Sequence, residues 1–291
     1  MSGSEHGVHS TRTTVEVAGT RVSVLVARPE VGGDARAAAA GLPPVLAVHG
    51  FGSSAHHTFD VTGHLRELCR AGRTVLAPDL PGHGLSEKSH DPGKYRPEFL
   101  LDLLATLPQR VRDELGPGGG IPSADLDQGC DLLGYSLGAR LSAGLLQERA
   151  PWRRAVLGGY DGRRLFEGVD VRALRAALAT GLWEPSQSAT PGLAAQTLRI
   201  VTVAAAVPGN DPAALTALIE GLDGLPAAPV LADRPVLLVV GERDPLADRA
   251  AALATASPRA ELVVVPGRDH VSTVPAKSFR AAAAAFLGRR D

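Results

Sequence analysis

The chain has 291 residues, 44% hydrophobic and 21% charged, an ordinary globular composition with length enough to bury a sizeable core. Its 30 Lys+Arg against 31 Asp+Glu leave a formal net charge of -1. No global field therefore draws it to nucleic acid or to an anionic membrane, and a small-molecule substrate is the expectation.

In chain order, Met1 to Arg12 is polar, lacks the apolar stretch of a signal peptide and is expected to be a disordered tail. No run of about 18 apolar residues follows, which predicts a cytoplasmic protein with no membrane partner. Thr13 to Ala18 and Arg21 to Ala27 alternate β-branched residues around Ala18-Gly19-Thr20, the pattern of an antiparallel hairpin. Val45 to Val48, Val75 to Ala77, Leu132-Leu133 and Val236 to Val240 are continuous apolar runs, as parallel strands buried on both faces require. Ala155 to Leu157 and Leu262 to Val265 extend the series. Helical patterns at Val61 to Ala71, Pro97 to Leu115 and Leu137 to Arg149 lie between them, so the fold class is α/β with a mostly parallel sheet and helices on both faces. Residues 161–228 break the rhythm with Ala/Leu-rich helical patterns at Val171 to Leu182, Gly192 to Ala206 and Pro212 to Leu222. They read as a helical cap inserted into a core of residues 13–160 and 229–291. Cys130 stands in the apolar run Cys130-Asp131-Leu132-Leu133; it and Cys69 are expected to be free thiols. Lys88, Lys94 and Lys277 are the only lysines, an arginine bias of the kind a GC-rich bacterial gene produces.

Gly134-Tyr135-Ser136-Leu137-Gly138 matches G-x-S-x-G directly after a buried strand and before a helix. Its glycines are expected to permit a tight turn that exposes the Ser136 hydroxyl. A serine hydroxyl needs a base, and the base a carboxylate to orient it. Asp244, in Gly241-Glu242-Arg243-Asp244, and His270, in Gly267-Arg268-Asp269-His270, follow the last two strands, at the sheet edge where open α/β folds assemble their sites. Either could equally sit in a plain turn; the order Ser, Asp, His favours a triad. Asp233, Asp248 and Asp269 compete for the acid: Asp233 precedes its strand, and Asp269 would have to fold back on its neighbour. His49-Gly50-Phe51-Gly52 follows the strand Val45 to Val48 and is expected to offer the Phe51 N–H, beside that of Leu137, to a developing oxyanion.

The series His-Gly-x-Gly, then Asp79-Leu80-Pro81-Gly82-His83-Gly84-Leu85-Ser86, then G-x-S-x-G, Gly-x-x-Asp and Gly-x-x-His resembles the α/β-hydrolase superfamily from about Pro44 onward. The resemblance implies a serine hydrolase of a small carboxylic ester or related acyl bond, with no cofactor and no metal, and with His49 and His83 ordering loops. It also favours Asp244 as the acid. The string Gly-Tyr-Ser-x-Gly-x-Arg is similar to the menaquinone-pathway SHCHC synthases, lyases on the same fold, and implies that Arg140 binds a substrate carboxylate. An internal salt bridge is the alternative. A C–C bond hydrolase or such a lyase is the runner-up activity, and Trp183 in the cap is a candidate pocket aromatic.

Two readings from other classes compete. Gly50-x-Gly52-x-x-Ala55 after a strand, with Asp79 beyond the next, imitates the dinucleotide fingerprint of an NAD(P)-dependent oxidoreductase, but leaves Ser136, Asp244 and His270 unexplained. A non-catalytic ligand receptor would be favoured by a broken triad, whereas all three residues are in place.

Overall fold

The computed structural model describes residues 3–4, 8–29, 42–116, 121, 126–147, 151–167, 171–180, 200–201, 203–204, 206–222, 225–228 and 230–289. Trp183 lies outside them. Among the described residues nine strands form one sheet: β1 (Gly3–Ser4), β2 (Val8–Val17), β3 (Thr20–Pro29), β4 (Val45–Val48), β5 (Val75–Pro78), β6 (Cys130–Tyr135), β7 (Trp152–Gly158), β8 (Val236–Gly241) and β9 (Ala260–Val265). Their order is β1-β2-β3-β5-β4-β6-β7-β8-β9. β1, β2, β3 and β5 pair antiparallel in succession, and every pairing from β5 through β9 is parallel.

The N-terminal hairpin is longer than the alternation predicts. Residues 8–12, expected in a tail, begin β2, whose register runs from Val8↔Pro29 to Val17↔Thr20. Ala18 and Gly19 have φ of 48° and 71°, the double positive φ of a two-residue turn whose twist matches its strands. Backbone pairing holds the polar start of β2, and Arg12 reaches over it to the buried Asp79 carboxylate at 3.0 Å.

Side chains alternate across the parallel strands, so each strand feeds two cores. In β4, Leu46 and Val48 join the core beneath α2 (Pro97–Leu115) and α3 (Leu137–Gln147), while Val45 and Ala47 join that beneath α1 (His64–Arg70) and α7 (Lys277–Leu287). α6 (Ala247–Ala256) packs between β8 and β9. Between β7 and β8 the described residues of the insertion carry α4 (Val171–Thr180) and α5 (Pro212–Gly221). Ala228 N–H donates to Gly162 O at 2.8 Å where that insertion leaves and rejoins the core.

Two arginines buried beside the sheet hold the last helix. Arg73 donates to Leu287 O and to Asp131 Oδ2, the latter at 2.7 Å, and Arg154 donates to Phe286 O at 3.1 Å, so both serve carbonyls of the last turn, where intrahelical donors run out. Cys69 and Cys130 are free and buried, and burial pushes both thiols up to about 12. Among the described residues no helix is long and apolar enough to cross a membrane.

Candidate active site

Ser136 stands between β6 and α3 with φ of 53°, a left-handed backbone that is costly for any residue but glycine. The strain is thus carried by the serine and not, as the sequence suggests, by the flanking glycines. Gly134 and Gly138 answer a different demand, close approach: a Cβ on Gly138 would lie 1.9 Å from Val48 O, and one on Gly134 would lie 2.4 Å from Gly138 O. Ser136 N–H donates to Gly158 O at 2.8 Å and Ser136 O accepts from Arg140 N–H at 3.0 Å, so the turn is tied to β7 and opens α3.

The structure brings together the three residues that the chain order pairs. His270 Nε2 lies 3.0 Å from Ser136 Oγ, and His270 Nδ1 lies 2.8 Å from Asp244 Oδ2. Asp244 Oδ1 accepts the Leu246 N–H at 3.1 Å, and both Asp244 and His270 are buried. Among the competing acids, Asp269 Oδ1 accepts from Val271 N–H and from the N–H and hydroxyl of Ser272, closing the turn after its neighbour, while Asp233 and Asp248 are exposed.

Tyr135, inside the motif but not singled out by it, donates its hydroxyl to His270 O and packs its ring 5.6 Å from the imidazole. Burial pushes its phenol well above the usual range, so it stays a donor. Gly159 has φ of 59°, and a Cβ there would stand 2.7 Å from His270 Cε1. Neither role leaves a mark in sequence, because each depends on a neighbour more than 100 residues away.

The loop after β4 presses on the serine: a Cβ on Gly50 would lie 3.4 Å from Ser136 Cβ. Gly50 O accepts from His49 Nδ1–H at 2.8 Å and from Ser53 N–H at 3.2 Å. Because a trans peptide opposes its two dipoles, this turns the Phe51 N–H away from those donors. His49 Nε2 accepts from Leu80 N–H, and His83 Nε2 accepts from Gly52 N–H, each at 2.9 Å. A backbone N–H only donates, so both rings are neutral with the proton on Nδ1. Burial lowers both pKa values, that of His83 well below the usual range. Leu137 opens α3, where a helix leaves its N–H groups without intrahelical acceptors. The Asp79 carboxylate accepts from Arg12, Ala55 N–H and Leu85 N–H, which leaves it engaged in loop structure and not offered to a ribose.

Two hollows meet at Ser136, His270, Phe51 and Ile200. The larger, about 370 Å³, is apolar and lined also by Val203, Val207, Val271 and Val274. The smaller, about 80 Å³, is bordered by Arg140, Asp161, Arg163 and Glu167. Arg140 has a side chain 10% exposed; its Nη2 lies 3.6 Å from Asp161 Oδ1, its guanidinium 5.3 Å from the Tyr160 ring, and its Nη1 has no hydrogen-bond partner among the described residues. Asp161 is bonded mainly to Arg163. Arg140 therefore both borders the site and faces an acid across it. Among the described residues no group of three or more His, Cys, Asp or Glu is placed to hold a metal ion.

Residues 45–285 match the sequence profile of the alpha/beta hydrolase family. No curated protein matches in sequence. Solved structures are similar over nearly the whole chain. A hydrolase from Pseudomonas aeruginosa has TM-score 0.65 at 20% identity, covering 96% of this chain and 98% of its own. A thermophilic esterase from Thermogutta terrifontis has TM-score 0.64 at 21% identity, covering 94% and 97%. The enol-lactonase from Burkholderia xenovorans has TM-score 0.65 at 19% identity, covering 95% and 100%.

Proposed function

The chain belongs to the alpha/beta hydrolase family, and from that premise we propose that it is a serine hydrolase cleaving a small carboxylic ester through an acyl-enzyme. The observation that carries this reading is the chain of contacts Ser136 Oγ to His270 Nε2 at 3.0 Å and His270 Nδ1 to Asp244 Oδ2 at 2.8 Å, built on a serine held at φ 53°. Asp244 keeps the proton on Nδ1; Nε2 takes the Ser136 proton as Oγ attacks the carbonyl and returns it to the departing alcohol. The N–H groups of Phe51 and Leu137 receive the oxyanion. Water activated by His270 then cleaves the acyl-serine.

The larger hollow is the basis for the substrate class. At roughly 30 Å³ per solvent-sized group, 370 Å³ holds about a dozen methylene-sized groups, so the ester carries an uncharged apolar portion of up to about that size. Fluorophosphonate labelling and turnover of p-nitrophenyl esters test the mechanism. Ser136→Ala is expected to abolish labelling and reduce the rate at least about 10³-fold; labelling that persists in the variant overturns the assignment.

A second reading, a C–C bond hydrolase or lyase acting on an acidic substrate, is favoured by Arg140 Nη1, which has no partner among the described residues, at the smaller hollow. A carboxylate there would complete a charge-assisted contact worth about 1.5–3 kcal/mol. This reading expects Arg140→Ala to lower kcat/KM for a carboxylate-bearing ester and spare its neutral methyl analogue. Equal losses reject it.

A further inference from the structure

We infer that Asn210, a residue of the inserted segment, is a positioning residue that clasps the oxyanion loop and makes docking of the cap a condition of catalysis. The inference rests on the serine-hydrolase reading. Asn210 Nδ2 donates to Gly52 O at 2.8 Å and to Ala204 O at 2.9 Å, so one amide binds the core loop and the cap backbone together. Both partners are carbonyls, which fixes the amide's orientation with its N–H₂ toward the loop. Its Oδ1 is buried without a partner among the described residues. An amide serving only cohesion would have both ends satisfied, since a buried orphan acceptor is destabilising. Among the described residues this one is held by its two donated bonds.

Gly52 is gripped from three sides. Its N–H is taken by His83 Nε2, its O by Asn210, and a Cβ on it would lie 2.4 Å from Ala204 Cβ. The preceding peptide carries the Phe51 N–H, and its carbonyl side is held by His49. His49 and His83 thus fix the loop from the core, and Asn210 fixes it from the cap. With the cap undocked, Gly52 loses its carbonyl partner, and the loop that carries the Phe51 N–H is held by the core contacts alone and can shift off the line to the oxyanion. Oxyanion stabilisation depends on donors already in place, and a displacement of about 1 Å is enough for a 10²-fold loss.

The test compares Asn210→Ala with His90→Ala. The latter removes a second cap–core tie, the exposed contact of His90 Nε2 with Asp211 Oδ2 at 2.7 Å, and leaves the Asn210 amide and its bond to Gly52 in place. For Asn210→Ala, kcat should fall about 10- to 100-fold with KM changed less than about threefold, short of the 10²–10³ that deleting an oxyanion donor costs. The affinity for an alkyl trifluoromethyl ketone, whose serine adduct carries the oxyanion, should fall in parallel. His90→Ala should leave both unchanged. Hydrogen exchange of residues 49–54 should quicken in Asn210→Ala and not in His90→Ala. Asn210→Asp, of the same shape but offering oxygens to two carbonyls, should behave as Asn210→Ala or worse, and serves if the alanine variant does not fold. A rise in KM with kcat intact, or equal losses in His90→Ala, overturns the inference. Wild-type enzyme that shows no Ser136-dependent labelling or turnover instead overturns the hydrolase reading beneath it.

Discussion

Gly159 shows how narrowly the imidazole is housed. Any side chain there would have to adopt φ 59° and place its Cβ 2.7 Å from His270 Cε1. Gly159→Ala is therefore expected to move His270 off Ser136 and reduce kcat by at least about 10²-fold, while the backbone strain destabilises the fold by about 1–3 kcal/mol. Activity and urea midpoints measured side by side check this; a variant that loses stability but keeps its kcat would refute it. Ser136, Asp244 and His270 could be picked out of the sequence because each occupies a loop just past an apolar strand, so spacing alone points to a shared edge. Tyr135, Gly159 and Asn210 could not: their roles are set by what lies opposite, respectively His270 O, His270 Cε1 and Gly52 O. Arg140 was legible as a residue near the nucleophile, yet its neighbours Tyr160 and Asp161 were not.

Among the elements, strands β4 and β8 and helix α2 were legible nearly to the residue, since burial on two faces or on one stripe leaves a strong hydrophobic period. The start of β2 was not, because backbone pairing carries it while its side chains stay polar and partly exposed. At His56–Asp60 the chain winds as a π-helical turn that no hydrophobic period announces. The inserted segment was visible as a break in the strand rhythm, and it supplies Ile200, Val203 and Val207 to the larger hollow. Val203→Phe should shorten that hollow. If it excludes three methylenes, kcat/KM for the longest accepted ester falls by about 2 kcal/mol, roughly 30-fold, with acetate esters unaffected. Assays of C2 to C12 p-nitrophenyl esters measure the shift, and an unchanged profile would dissociate these residues from substrate binding.

For the whole molecule, buried neutral imidazoles set a limit on acid tolerance. His64 donates from Nε2 to Val274 O at 2.9 Å, packs against Phe279, and is pushed down to about 4 chiefly by burial. His49 and His83 are lowered in the same direction for the same first cause. Above about pH 6.5 these rings are neutral in both folded and unfolded chains, and their contribution is fully present. As the pH falls from about 6.5 toward 4 the unfolded chain takes up protons that the folded one refuses, so stability declines by up to about 1.4 kcal/mol per unit for His64 alone. Urea midpoints between pH 8 and 4.5 should fall accordingly, and His64→Gln should show a shallower slope than wild type; parallel slopes would discount the ring. The arginines that hold the last helix bear on how the protein is made. Arg73 and Arg154 are committed to the interior of the sheet, yet their acceptors Leu287 O and Phe286 O are synthesised after His270. At about 5–20 residues per second, a ribosome that has made Ser136 needs roughly eight to thirty seconds to reach them. Throughout that interval the nascent chain carries Ser136 without the imidazole that faces it in the folded structure, and the end of the last helix is not yet there for Arg73 and Arg154 to hold, so the candidate site can close only late in translation.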